Sequence, residues 1–271
     1  MLPTPSTSHV CFDTIYEPAE DSYLLLDTLS SSAEVEWLSA RFHPDPQSQT
    51  TSPSPLVVEV GTGSGVVLAF VAANAKHILS RSDILTLGID INRNACTDTE
   101  RTVCIALEEE RRRLKSQHGN GTAEDIQPQL AAAITGDLCS PLRTGVVDIL
   151  IFNPPYVPTP ELPPLPSSDS ETTGIGTSKF ERDSHLLSLS YAGGEYGMET
   201  TNRLLEQLPH ILNFERGVAY ILLCAQNKPD EVMARVRDWE SCWHAEIVGR
   251  SGAKAGWERL IIVRIWREVT A

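Results

Sequence analysis

The sequence predicts an open α/β sheet of seven mostly parallel strands, with helices on both faces and an antiparallel pair at its C-terminal edge. β-branched runs alternate with helical stretches along the chain, as parallel strands joined by crossovers require. The first run, Leu56-Val57-Val58-Glu59-Val60, breaks into Gly61-Thr62-Gly63-Ser64-Gly65, and later runs stop at Asp90, Asp137 and Asn153. In open α/β sheets the carboxyl ends of the strands are where ligands bind.

A helix opens at Glu17-Pro18-Ala19-Glu20-Asp21-Ser22, where acids fill the first turn and apolar residues follow. The stretch 43–55, rich in Pro, Ser, Thr and Gln, reads as a loop. Strand 56–60, the glycine turn and a helix over 66–75 then form one unit. A second strand over 84–90 ends in Asp90, and a helix over 94–115 carries a charged, solvated end. Residues 116–129 form an insertion loop before a third strand, 131–135, which runs into Gly136-Asp137-Leu138. The strongest strand signal, 146–152, stops at Asn153-Pro154-Pro155-Tyr156 because proline cannot continue a ladder. Residues 158–181 read as a lid or insertion loop rich in Pro, Ser and Thr. Helices over 197–212 and 229–239 flank a strand at 217–224, and strands at 245–250 and 258–266 close the chain.

With 271 residues, 41% of them hydrophobic, the chain can bury a full core as a single domain spanning 1–271, with 1–15 expected as a flexible N-terminus. No run of about 18 apolar residues occurs and the first residues lack the pattern of a signal peptide, so the expectation is a soluble protein of the cytoplasm, with the nucleus as a second compartment. Six scattered cysteines without a Cys-x-x-Cys pair suggest reduced, packed thiols and no metal site. A net charge of −14 repels phosphate backbones and argues against nucleic acid as a partner of this chain alone.

Glycines 61, 63 and 65 let the backbone pass close to a ligand, although a dinucleotide fold or an ordinary tight turn uses the same device. Glu59 precedes them and no basic residue follows, which suits a ligand bearing an amine and a sulfonium better than a pyrophosphate. Asp90 can accept from ribose hydroxyls; its alternative is a solvated strand-end acid. Asp137 can accept from an exocyclic adenine amine, with the Leu138 N–H offered to the ring; the alternative is a turn aspartate. A conjugated nitrogen is a poor nucleophile because its lone pair is delocalised. The Asn153 side-chain carbonyl and the Pro154 backbone carbonyl can each accept one N–H of a planar NH2 group and aim its lone pair at a methyl carbon. Locked φ angles at Pro154 and Pro155 preset the turn, and Tyr156 can stack on the acceptor.

Six pieces, in order, resemble the HemK-like release-factor glutamine methyltransferases, and more closely their eukaryotic and archaeal branch. They are Tyr16-Glu17-Pro18-Ala19-Glu20-Asp21-Ser22, the segment from Glu59 to Gly65, Gly88-Ile89-Asp90-Ile91-Asn92, Gly136-Asp137-Leu138, Asn153-Pro154-Pro155-Tyr156-Val157 and Ala192-Gly193-Gly194-Glu195-Tyr196-Gly197. The resemblance implies a Rossmann-like class I methyltransferase that uses S-adenosyl-L-methionine to methylate N5 of the glutamine in the Gly-Gly-Gln motif of a class I translation termination factor. It implies cofactor contacts from Ser22, Glu59, Gly61, Asp90, Asp137, Leu138 and Asn153, and acceptor contacts from Asn153 to Tyr156. It also implies a heterodimer with a small zinc-binding activator that covers an apolar sheet edge; the cysteines here cannot supply that zinc. The loops at 43–55, 116–129 and 158–181 are longer than in compact members. Protein-lysine methylation as a second activity, adenine-N6 methylation of nucleic acid, which the same Asn-Pro-Pro-Tyr logic could serve, and a non-catalytic cofactor-binding scaffold are the alternatives.

Overall fold

The computed structural model describes residues 2–43, 52–118, 127–166, 178–252 and 259–268. Seven strands, β1 (Leu56–Val60), β2 (Leu85–Asp90), β3 (Gln129–Thr135), β4 (Ile149–Phe152), β5 (Val218–Cys224), β6 (Trp243–Arg250) and β7 (Leu260–Arg267), form one sheet in the order β3-β2-β1-β4-β5-β7-β6. β1 to β5 are parallel; β7 enters antiparallel between β5 and β6. The later strand of the C-terminal pair therefore lies inside and the earlier one at the edge. Composition explains this: all of β7 except Arg267 is buried, whereas β6 exposes Glu246 and Arg250.

Burial on both faces explains the unbroken apolar runs. In β4, Ile149 and Ile151 join one core layer and Leu150 and Phe152 the other; in β5, Val218, Tyr220 and Leu222 alternate with Ala219, Ile221 and Leu223 in the same way. The first layer is completed by α1 (Glu20–Leu29), α2 (Ser32–Phe42), α3 (Val66–Ala73), α4 (Ala75–Leu79) and α5 (Arg93–His118), the second by α7 (Glu199–Ile211) and α8 (Pro229–Arg237). No residue of α6 (Lys179–Leu189) is buried.

Several boundaries depart from expectation, and the helices α2, α4 and α6 were not among those expected. The first helix starts at Glu20, not Glu17. α2 was not expected, although Ser31 caps it by accepting from the Glu34 N–H. It brings Glu34 under the sheet, where Arg264 of β7 donates to both carboxylate oxygens at 2.8 and 2.9 Å and the Tyr220 hydroxyl donates at 2.7 Å. Removing one member of such a buried pair costs about 3–5 kcal/mol, because the other charge is left stranded. β4 begins at Ile149 and not at 146, because the Asp148 carboxylate turns to accept from the Leu56 N–H and pairs with Arg216.

Within 1–15, expected as a flexible N-terminus, part of the described segment makes contact with α5. Val10 and Ile15 are buried against Ala95, and the Thr14 carbonyl accepts from Asn92 Nδ2 at 2.8 Å. Of the expected insertion loops, 44–51, 119–126 and 167–177 lie outside the described residues. Their described margins are ordered more closely than expected: α5 continues to His118, β3 starts at Gln129, and α6 starts at Lys179 behind a Ser178–Glu181 capping box.

Candidate active site

β1 and β4 lie side by side where the strand order reverses, and their carboxyl ends open into a cavity of about 610 Å³. Of the residues singled out from the sequence, its lining includes Ser22, Glu59, Gly61, Gly63, Asp90, Asp137, Leu138, Asn153, Pro154, Pro155 and Tyr156, but not Gly65. Among the described lining residues the acids are Asp21, Glu59, Asp90 and Asp137, and the one lysine or arginine is Arg203. The volume suits a nucleoside-sized ligand and the charge suits a cation.

The glycine turn is shaped from within its own strand-turn-helix unit and braced by α5. At Gly65, φ is +74° and an added Cβ would stand 2.7 Å from the Thr99 Cα, so a side chain meets both strain and backbone. Thr99 donates to the Thr62 hydroxyl at 2.9 Å and Thr102 to the Ser64 carbonyl at 2.7 Å. Glu59 is buried and Oε2 accepts from the Leu68 N–H at 2.9 Å, satisfying the first turn of α3 from the preceding strand. Burial pushes its carboxyl well above the usual range, the Leu68 hydrogen bond opposes this, and nearby Asp90 adds to it.

Asp90 accepts from Gly63 N–H at 2.9 Å through Oδ2 and from Asn92 N–H at 2.8 Å through Oδ1. Burial raises its pKa and these hydrogen bonds oppose the rise. The Ile91 N–H and the Thr62 hydroxyl also hydrogen-bond to this carboxylate. Asp137, half-exposed, pairs with Arg203 of α7, and Leu138 beside it takes a positive φ of 51°.

The Asn153 amide is oriented by Asp21 of α1, whose Oδ2 accepts from Nδ2 at 3.1 Å. A carboxylate can only accept here, so the amide nitrogen must face it and Oδ1 must face away. Oδ1 is buried without a hydrogen-bond partner among the described residues. An acceptor left unmatched in this way costs about 1–3 kcal/mol, which a donor arriving in the cavity recovers.

The turn that follows is splinted by the glycine-rich segment 192–197. Val157 N–H donates to the Tyr191 carbonyl, Gly193 N–H to the Val157 carbonyl and Thr159 N–H to the Gly194 carbonyl, at 3.0, 2.8 and 3.0 Å. Sequence reasoning missed Asp21, although it sits within the first quoted motif. It also missed Arg203, and the apolar rim of Leu162, Pro163, Leu186 and Leu189 that α6 and the segment before 167 bring to the cavity. No spacing rule marks such residues; they reach the site from separate elements.

The chain is 31% identical over 234 residues to Methyltransferase HEMK2 of Homo sapiens, covering 85% of this chain and 82% of that protein. It is 31% identical over 278 residues to the eRF1 methyltransferase catalytic subunit mtq2 of Schizosaccharomyces pombe, covering 98% and 96%. A SAM dependent methyltransferase of Aquifex aeolicus of known structure is 10% identical, with 92% of this chain and 100% of that chain covered and a TM-score of 0.40. No family model matches the chain.

Proposed function

The chain belongs to the family of methyltransferases that includes HEMK2 and mtq2, and on that premise we propose that it methylates N5 of the glutamine in the Gly-Gly-Gln motif of a class I translation termination factor. It is an S-adenosylmethionine-dependent enzyme. The observation that carries the choice of acceptor is Asn153, whose buried Oδ1 stands ready for an N–H while Asp21 occupies its amide nitrogen.

The cavity fits the cofactor: four acids and an orphaned buried acceptor line it. S-adenosylmethionine supplies an activated methyl on a cationic sulfur. Glu59 offers its carboxylate to the amino group and Asp90 to the ribose hydroxyls, while Asp137 and the Leu138 N–H receive the adenine edge, Asp137 through lone pairs left over from Arg203. Ser22 and Gly61 line the same space, and Gly63 holds Asp90 in place through its N–H. On the other side, Asn153 Oδ1 and the Pro154 carbonyl accept the two N–H groups of the glutamine amide. Its plane is thereby fixed and its lone pair directed at the methyl carbon. Pro155 fixes the turn and Tyr156 covers the amide face, close to the positive charge that the nitrogen acquires.

A small zinc-binding activator belongs to this reading, and β3 is the edge it best fits. That strand presents half-exposed Leu130, Ala132, Ala133 and Ile134 and no charged residue, whereas β6 exposes Glu246 and Arg250 beside its half-buried Ile247 and Val248. With a translation termination factor as its substrate, we propose the cytoplasm as its compartment, with the nucleus second. Incubating the chain, alone and with such an activator, with S-adenosylmethionine and a folded termination factor should place one methyl on the Gly-Gly-Gln glutamine, read by fragment mass spectrometry. Transfer to lysine alone, or to no residue under either condition, would overturn the assignment.

A further inference from the structure

Asn227 lies in the turn after β5, does not line the cavity, and is almost wholly buried. Its Oδ1 accepts from the Cys224 N–H at 2.8 Å, which anchors it to the end of β5. Its Nδ2 faces three backbone carbonyls: Tyr196 at 2.9 Å, Tyr156 at 3.2 Å and Gly197 at 3.4 Å. The Cys224 N–H can only donate and the three carbonyls can only accept, so one orientation of the amide fits, with its two N–H groups shared among the three carbonyls.

The tie joins segments distant in sequence: the acceptor turn after β4, the 192–197 segment, and β5. The surrounding backbone is bent to make it. Tyr196 and Lys228 both take positive φ, 54° and 51°, conformations that side chains disfavour. At Gly197 an added Cβ would lie 1.9 Å from the Tyr156 carbonyl oxygen, so the segment presses directly on the peptide that Asn227 holds.

We propose that Asn227 is a positioning residue for methyl transfer: acting through the Tyr156 carbonyl, it sets where Tyr156 stands relative to Asn153 and so places the acceptor, without touching acceptor or cofactor. This rests on the reading of 153–156 as the acceptor clamp. Apart from Ser22 of α1 and Asn153 itself, the expected cofactor contacts come from the ends of β1, β2 and β3, which the tie does not reach, so loss of the tie affects transfer far more than cofactor binding.

The test is N227D, which keeps the acceptor for Cys224 but turns a carboxylate oxygen toward three carbonyls. The cofactor Kd from calorimetry should stay within about twofold, while kcat/KM for the protein acceptor falls roughly tenfold to a hundredfold, as sub-ångström to ångström misplacement does. Amide exchange at Val157, Thr159 and Gly193 should accelerate. G197A, which pushes on the same carbonyl from the other side, should give the same split and takes over as the test if N227D does not fold. Wild-type kcat/KM in N227D, or a loss of cofactor affinity in step with the loss of transfer, overturns the proposal. The exchange measurement separates the two readings: if the unaltered chain methylates no termination factor, the functional assignment fails, and unchanged exchange at Val157 then removes the tie as well.

Discussion

The glycine turn after β1 and the Asn-Pro-Pro-Tyr turn after β4 stand next to each other in the sheet and are held in contrasting ways. The first is shaped by neighbours in sequence: Leu68 binds Glu59 nine residues away, and Asp90, on the next strand, binds Gly63. The second is held from far along the chain, by Asp21 over a separation of 132 residues and by Asn227 over 71. The cofactor turn is braced by elements that follow it in the chain, β2 and α5, whereas the plane of an acceptor has to be fixed from several distant directions. Damage on the first side should therefore appear in affinity and stability, and damage on the second in turnover.

The largest expected effect is on the acceptor side. Asn153→Ala removes the orphaned carbonyl, and single-turnover transfer should slow by about 10²–10³-fold, the range for losing one aimed transition-state partner, with cofactor affinity changed far less. A variant that transfers at the unaltered rate would take Asn153 out of the clamp. Next comes the cofactor side: Gly65→Ala forces a Cβ toward Thr99 at positive φ, and thermal and denaturant unfolding should show a loss of about 1–3 kcal/mol together with weaker cofactor binding. Undiminished affinity in that variant would erase the contrast between the two turns.

Asp21→Asn sharpens the contrast. An amide opposite Asn153 no longer dictates which end of the Asn153 side chain faces the cavity, so kcat should fall on the order of tenfold, with the fold intact by circular dichroism. If kcat holds and only cofactor affinity drops, Asp21 belongs to the cofactor side instead.

The smallest effect is in protons. Burial raises Glu59 and Asp90 in the free protein, so the folded chain binds more protons than the unfolded chain between the ordinary carboxylate pKa and the raised values. Stability of the free protein therefore falls as pH rises through that window. A cationic cofactor favours the ionised forms, so binding should release protons there and tighten with rising pH. Calorimetry in buffers of differing ionisation enthalpy measures the release, and Glu59→Gln should remove the larger part. Proton uptake on binding would contradict the assignment of Glu59 to a cation.

Much of the cavity was legible in sequence because a strand that ends at a functional residue leaves two local marks, a β-branched run and its terminator. The residues read in this way, Glu59, Gly61, Gly63, Asp90, Asp137, Leu138 and Asn153 to Tyr156, line the cavity, as does Ser22 of α1, which only the family resemblance had pointed to. Legibility failed where order depends on distant partners. Within 1–15, expected as flexible, Val10 and Ile15 find Ala95 of α5, a contact that no local pattern marks. α2 escaped notice because its worth lies in delivering Glu34 to Arg264, 230 residues away.

The sequence by itself determined the alternation of strands and helices, the two-sided burial of β4 and β5, and which residues close each strand, because these follow from side-chain period and backbone chemistry within a few residues. Only the tertiary structure decided that β7 enters between β5 and β6, that Asp21 takes the Asn153 amide nitrogen and leaves its Oδ1 without a partner among the described residues, and that Asn227 ties the acceptor turn to β5. Those outcomes depend on hydrogen bonds whose donors and acceptors meet only after the sheet has assembled, and no local pattern encodes which distant carbonyl an amide will find.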